Sequence, residues 1–452
     1  MSAAPNHPLQ ALEQTLAAFT APGALVRAGG SVVEVSASHY RLRGLARNAR
    51  IGDVVEHRSH GTTRTAEVVR VEEGGVSVSP YETTVDLGIG AEFYNLGPLR
   101  IQPDDSWRGR VVDALGRPID GGEALAPSQA IPKAAAPPLA RQRGGTPFQT
   151  GVRVVDMFTP LCFGQRIGVF AGSGVGKSTL LAMLAAAEAF DTVVVALVGE
   201  RSREVREFLE DTIGPEHRAK TLAVVSTSDE SAMMRRRAPS TAMAAAEHFR
   251  DQGHRVLLIV DSITRFAHAL REVASASGEP PVARGYPASV FTEMPKLLER
   301  AGPGREGETG SITAIISVLV DGDDHNDPIS DSVRGILDGH VVLSRSIAEQ
   351  GRLPAVDPLT SVSRLANRAW TDEQRILVQR LRLMIARYED TRDIRLLGAY
   401  QAGADLDLDV AIRQVPHIYE ALTQAPSDPA SGDPFGDLAR HLKASEARHG
   451  QS

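Results

Sequence analysis

The clearest chemistry in the chain lies in Ala171-Gly172-Ser173-Gly174-Val175-Gly176-Lys177-Ser178, with Thr179 following directly. Alternating glycines let a backbone turn tightly round a polyphosphate, so that successive N–H groups face its oxygens. Lys177 adds a charge on a flexible stem for the β and γ oxygens, and the Ser178 hydroxyl suits Mg²⁺. The context supports this reading, because Ile167-Gly-Val-Phe170 is a short apolar strand and Ser178 to Leu184 reads as a helix without Gly or Pro. Such a helix aims its positive end at the phosphates. Ala171 stands where the strict pattern has glycine, a relaxation at the first position only.

Two further strand tips carry carboxylates. The run Val256 to Val260 ends in Asp261-Ser262, an acid that beside a phosphate loop serves Mg²⁺, often through water. The run from Thr192 ends in Gly199-Glu200-Arg201-Ser-Arg-Glu204. There Glu200 is the candidate to position and polarise an attacking water. Arg201 would orient Glu200 or touch the phosphate, and Glu204 would support the water shell of the metal. Out of context the same run would be a solvated turn, and Asp261 a helix cap. The single cysteine, Cys162, excludes an internal disulfide and a cysteine metal cluster, and reads as a small buried residue.

The elements that must hold these groups follow from periodicity. Leu9, Leu12, Leu16 and Phe19 draw one apolar stripe, giving an amphipathic N-terminal helix within 1–22. Residues 23–97 show short strand-like runs between glycine turns, the pattern of a small β-barrel. Residues 98–150 are a connector rich in Pro and Ala. From 151 to 368, runs that are apolar throughout alternate with helical stretches, the signature of a parallel sheet covered by helices. Residues 369–424 read as a helical domain, and 425–452 as a flexible tail ending in a polar helix. Arg235-Arg-Arg237, ahead of Ala-Pro, reads as a solvated turn.

Bulk properties narrow the class. A chain of 452 residues accommodates several cores, and a net charge of −7 with no aromatic-basic pattern in the barrel argues against a nucleic-acid partner. The sequence shows neither a membrane-spanning run nor a secretory leader, so a cytoplasmic location is expected.

Several segments together resemble one family. The loop Ala171 to Ser178, Gly199-Glu-Arg201, Asp261-Ser-Ile-Thr-Arg265, Arg284-Gly-Tyr-Pro287 and Pro354 to Arg364 are similar to the catalytic domain shared by rotary ATPase subunits and type III export ATPases. Asp327 to Arg345 and Leu397 to Gly403 resemble the export branch, most closely its flagellar members. The resemblance implies an α/β fold with an N-terminal barrel, a RecA-like P-loop sheet and C-terminal helices. It implies ATP and Mg²⁺ as cofactors, with Ala171 to Thr179 holding phosphate, Ser178 and Asp261 holding the metal, and Glu200, Lys177 and Arg201 serving catalysis. Arg364 falls where the family has an arginine finger that reaches a neighbouring subunit, so the resemblance implies a homohexamer with interfacial sites. As partners it implies regulator and stalk proteins, an export gate, chaperones and cargo, with peripheral contact at the inner-membrane export apparatus.

Leu353 departs from this pattern, since related catalytic subunits often have an aromatic there. A virulence-type injectisome ATPase remains an alternative function, as does a nucleotide-binding structural subunit that does not turn over. The apolar stripe of the first helix needs a partner surface. If that partner is a stalk protein, removing residues 1–20 will leave basal ATP hydrolysis intact and weaken stalk binding in a pull-down. Undiminished binding would count against a docking role on the stalk and leave packing on the chain's own domain or on a membrane surface.

Overall fold

A computed structural model describes residues 28–59, 61–125, 145–305, 307, 310–320 and 327–449. The expected N-terminal helix, and residues 126–144 of the expected connector 98–150, lie outside the described residues. By contacts the chain divides into two units, one built on the first hundred residues with the short segments 231–233 and 272–280, the other on nearly everything else.

In the first unit, six strands close into a barrel in the order β1-β2-β5-β4-β3-β6. They are β1 (Gly29–Val35), β2 (Tyr40–Arg43), β3 (Asp53–Ser59), β4 (Thr62–Glu72), β5 (Gly75–Pro80) and β6 (Glu92–Pro98). Neighbours pair antiparallel throughout. Val32, Leu42, Val55, Val68, Val78 and Phe93 point inward and are buried. Closure removes the exposed strand edges that an open sheet of this size would leave.

The second unit is a sheet with helices. Its main path runs β14-β13-β8-β12-β11-β9-β10-β7. In chain order these are β7 (Val111–Asp113), β8 (Arg166–Ala171), β9 (Thr192–Glu200), β10 (Thr221–Thr227), β11 (Arg255–Asp261), β12 (Ser311–Leu319), β13 (Gly339–Leu343) and β14 (Val362–Ser363). Pairing along this path is parallel except at the β14 edge. Every residue of β9 is buried, which explains the continuous apolar run: both faces are covered, so no position can be polar for solvent.

The helical stretch after the sheet shares its core. Helix α1 (Arg153–Phe158) precedes the sheet, and α2 (Lys177–Ala185) leaves β8. Helices α3 (Asp372–Asp390) and α4 (Leu406–Leu422) bury Val378, Leu381, Ile385, Ala411, Val415 and Ile418 in one cluster with Val154, Val155 and Phe158. Thr371 and Gln374 form a reciprocal cap that starts α3, and Asp405 caps α4 through the N–H groups of Asp407 and Leu408. Gln424 then clamps the two regions, accepting from Arg153 N at 3.0 Å and donating to Gly151 O at 2.8 Å.

Two expectations need correction. The stretch 425–449 is not simply a flexible tail, because helix α5 (Pro434–His449) packs Leu438, Phe435 and Leu442 into the same core. Charged residues between the apolar ones hid that stripe. Arg235-Arg-Arg237 is not a turn but part of the continuous helix Ala232–Asp251, in which Pro239 is an interior position. Arg236 pairs there with Glu293 at 3.2 Å, so tertiary contacts override the local stop signal.

Entry into this unit depends on one buried acid. Asp156 accepts from Thr150 N at 2.7 Å, Thr150 Oγ1 at 2.8 Å and Gly151 N at 3.0 Å, fixing the turn before α1. Asp156→Ala would strand those donors, and a loss of about 2–4 kcal/mol in unfolding free energy is expected. Both tryptophans, Trp107 and Trp370, lie in this unit, so urea unfolding followed by their fluorescence reads it directly.

Candidate active site

The phosphate loop forms because β8 ends in a buried Ala171 and the chain must turn at once into α2. Gly176 caps that helix at φ 91°, a left-handed backbone that glycine adopts without strain. No side chain caps α2, so its first N–H groups are left for a ligand, while Ser173, Ser178 and Thr179 are exposed beside them. Val175 is buried and pins the loop to the core. From β13's C-terminal side, Arg345 donates to Ser173 O at 3.2 Å and steadies the loop from outside.

Lys177 lies at the centre of a buried charge cluster. Its Nζ is hydrogen-bonded to Asp261 Oδ1 and stands 3.9 Å from Glu200 Oε1. The sheet order makes this meeting possible: β12 separates the loop strand from β11, and β9 lies next, so the three groups project from one carboxyl edge. Ser317 on the intervening β12 donates to Asp261 Oδ1 at 2.9 Å. Arg265 brings its Nε to 3.3 Å from Glu200 Oε1. At Gly199 (φ 68°) an added Cβ would sit 2.9 Å from Arg265 Cδ, so the glycine lets the arginine approach. Glu200 Oε1 and Arg265 Nε are nevertheless buried without a well-formed hydrogen bond.

Burial pushes the Glu200 carboxyl up to about 7, helped by its hydrogen bond with Glu204 and the charge of Asp261, and opposed by Lys177 and Arg265. Glu204 moves the other way, because it accepts the shared proton. A carboxyl that ionises near neutrality suits a group that must polarise water. The residues also fit a hard divalent cation: the Ser178 hydroxyl and Asp261 carboxylate form an all-oxygen donor set, as Mg²⁺ requires.

Other expected residues fall elsewhere. Arg201 is exposed and turns to Glu204 at 4.0 Å, and Arg265, which had no separate role among the expected residues, takes the place against Glu200. Ser317 was also missed, since a serine inside an apolar strand carries no local signal. Arg364 follows β14, and its N–H donates to Asp338 O while Asp338 N donates to Arg166 O. That sets Arg364 at the start of β8, about 17 Å of strand away from the loop at its end. Its side chain is exposed and cannot complete the site of its own chain. Leu353 is half exposed and lines a cleft with Tyr419, over whose ring the Arg352 guanidinium sits at 3.6 Å.

The chain is similar to known proteins along most of its length. Residues 151–363 match the model of the ATP synthase alpha/beta family nucleotide-binding domain, and 370–439 match the T3SS EscN ATPase C-terminal domain. The chain is 58% identical to the flagellum-specific ATP synthase of Agrobacterium fabrum, covering 96% of this chain and 92% of that one. It is 42% identical to the type 3 secretion system ATPase of Xanthomonas euvesicatoria, over 93% and 95% of the two chains. Among solved structures, the assembled ATPase EscN from the enteropathogenic E. coli type III secretion system superposes with TM-score 0.85 at 39% identity, covering 91% of this chain and all of that one. EscN in complex with its central stalk EscO gives 0.82.

The Glu200–Glu204 pair sets a pH dependence. Glu200 is raised, so its charged form appears only as pH rises through about 7, and phosphate release at saturating nucleotide should climb over that window. Burial is the main cause of that rise and stays in place, but Glu204→Gln removes the next contributor, moving the climb to lower pH. A profile that stays in place would show that Glu200 ionisation does not limit turnover.

Proposed function

The chain is a member of the flagellar and type III secretion ATPase family, and from that premise we propose that it hydrolyses ATP as a homohexameric ring to energise export of flagellar proteins. The observation that carries this reading is the division of the site: Lys177, Glu200 and Asp261 converge on one edge of the sheet, while Arg364 stands at the other. A finger so placed can serve only a neighbouring subunit, and the assembled state of EscN supports a ring.

Within that site, Ala171 to Thr179 would hold the phosphates, and Ser178 and Asp261 would hold Mg²⁺, which when bound would supply charge neutralisation for the phosphates. Lys177 exchanges its carboxylate partners for the γ-phosphate. Glu200 then accepts hydrogen bonds from the attacking water, held in line by Arg265 rather than Arg201. Arg364 of the adjoining copy stabilises the charge that develops on the transferred group.

The EscN–EscO complex supports a stalk partner. Regulators, an export gate, chaperones and cargo, together with a peripheral position at the inner membrane, complete the proposal. Among the described residues, no helix is long and apolar enough to cross a membrane. Identity of 58% to a flagellar relative against 42% to a secretion-system ATPase favours the flagellar machine over an injectisome. The presence of Glu200 weighs against a ring subunit that does not turn over.

Phosphate release tests the proposal. Glu200→Gln and Arg364→Ala should each keep nucleotide binding, and Arg364→Ala should lower turnover by about 10³ to 10⁵. Mixing the two inactive proteins is the sharper measurement. In random rings about a quarter of interfaces would pair an intact loop side with an intact finger, restoring activity in proportion. Mixed rings as inactive as either parent would sink the shared-site reading.

A further inference from the structure

Away from the nucleotide site, α4 and α5 meet through a cluster to which the proposed activity gives no role. His417 and Glu420 are one turn apart on α4, and His441 comes from α5. His417 Nδ1 is 3.2 Å from Glu420 Oε2, and His441 Nε2 is 3.3 Å from the same oxygen. All the ligand atoms lie within 4.8 Å of one another, and the histidine ring centroids are 6.4 Å apart.

We propose that His417, Glu420 and His441 bind a divalent transition-metal ion of the Zn²⁺ class, which staples α5 to α4. The donor set argues for that class. Two imidazoles and one carboxylate suit Zn²⁺ and its borderline neighbours, whereas Mg²⁺ and Ca²⁺ take oxygen ligands. Distances agree as well: a tetrahedral ion with bonds of about 2.0–2.1 Å holds its ligand atoms about 3.3 Å apart, the spacing already found between Glu420 and each histidine. The remaining histidine pair closes by rotation of side chains that are partly exposed. Solvent reaches Glu420, so the ion has an entry path and water can fill the fourth position.

The helices are already in register for such a staple. Gln414, one turn before His417, donates to Glu446 at 3.0 Å, so the face of α4 that carries the cluster also meets α5 beside it. Leu438 and Leu442 pack α5 from its apolar side. Only the eleven residues from 423 to 433 connect the two helices, with prolines at 426 and 429. An ion at this seam would therefore add a cross-link where α5 is otherwise held by its apolar side and the Gln414–Glu446 hydrogen bond.

The test uses the full chain, dialysed against chelator and free of nucleotide, titrated with Zn²⁺ and with Co²⁺ as a spectroscopic stand-in. Uptake of one ion per chain is expected, with the visible absorption of four-coordinate Co²⁺. His417→Ala and His441→Ala should each weaken uptake at least about 10-fold, since even outer partners of metal ligands cost about 10–100-fold. Ser178→Ala, at the nucleotide centre, should not change it. Amide exchange across 434–449 should slow when Zn²⁺ is added to the wild type and not in His441→Ala. Failure of the wild type to take up a stoichiometric ion overturns the proposal without reference to any variant. So does exchange across 434–449 that is the same in the wild type with and without Zn²⁺.

Discussion

The Lys177–Asp261 ion pair, with Glu200 beside it, is the constraint on which the site depends. Its side chains are almost fully buried at the end of a sheet whose strands are apolar on both faces. Unpaired charges there would be heavily penalised, and removing one partner of a buried pair is strongly destabilising. The sheet answers with mutual neutralisation: Lys177 between two carboxylates, Ser317 on Asp261, and Arg265 near Glu200. Lys177 is therefore held by groups of its own chain at the point where a polyphosphate would compete for it. The unsatisfied Glu200 Oε1 and Arg265 Nε mark where this neutralisation is incomplete.

That arrangement explains why the groups come from distant points in the sequence. Parallel strands put all their carboxyl ends on one edge, so the tips of β8, β9 and β11 become neighbours whatever their separation along the chain. The same polarity sends Arg364 away. Because β14 runs antiparallel to β13, the chain returns to the opposite edge before the arginine appears. A finger on that edge faces outward, where only another molecule can receive it, and the proposed ring follows from strand direction as much as from family likeness.

What could be read in the sequence was what local rules determine. The strands of the central sheet stood out because burial on both faces makes them continuously apolar, and the loop at Ala171 to Ser178 because its chemistry is contiguous. Glu200 and Asp261 were legible as acids at strand tips. Arg265 and Ser317 were not, because each acts across strands: one reaches back from the helix after β11, and the other projects from the middle of β12. Arg201 looked the better candidate only because it is adjacent to Glu200 in sequence, and a residue following a strand tip points away from its neighbour. The helix through Arg235 to Arg237 and the packing of α5 were lost for the same reason, since both rest on tertiary contacts that outweigh Pro239 in one case and a charged composition in the other.

The Glu200–Glu204 pair shows how this site can combine a buried acid with chemistry near neutral pH. Desolvation alone would keep Glu200 protonated and inert. Lys177 and Arg265 pull the other way, and the outcome of about 7 reflects their partial success. Any event that draws Lys177 toward phosphate weakens one of the two forces favouring the charged carboxylate, whereas a divalent cation at Asp261 both cancels that acid's repulsion and adds attraction of its own. Ionisation of Glu200 would therefore track the arrival of metal with nucleotide rather than of phosphate alone. In that reading the burial of the cluster couples activation of the water to complete loading of the site.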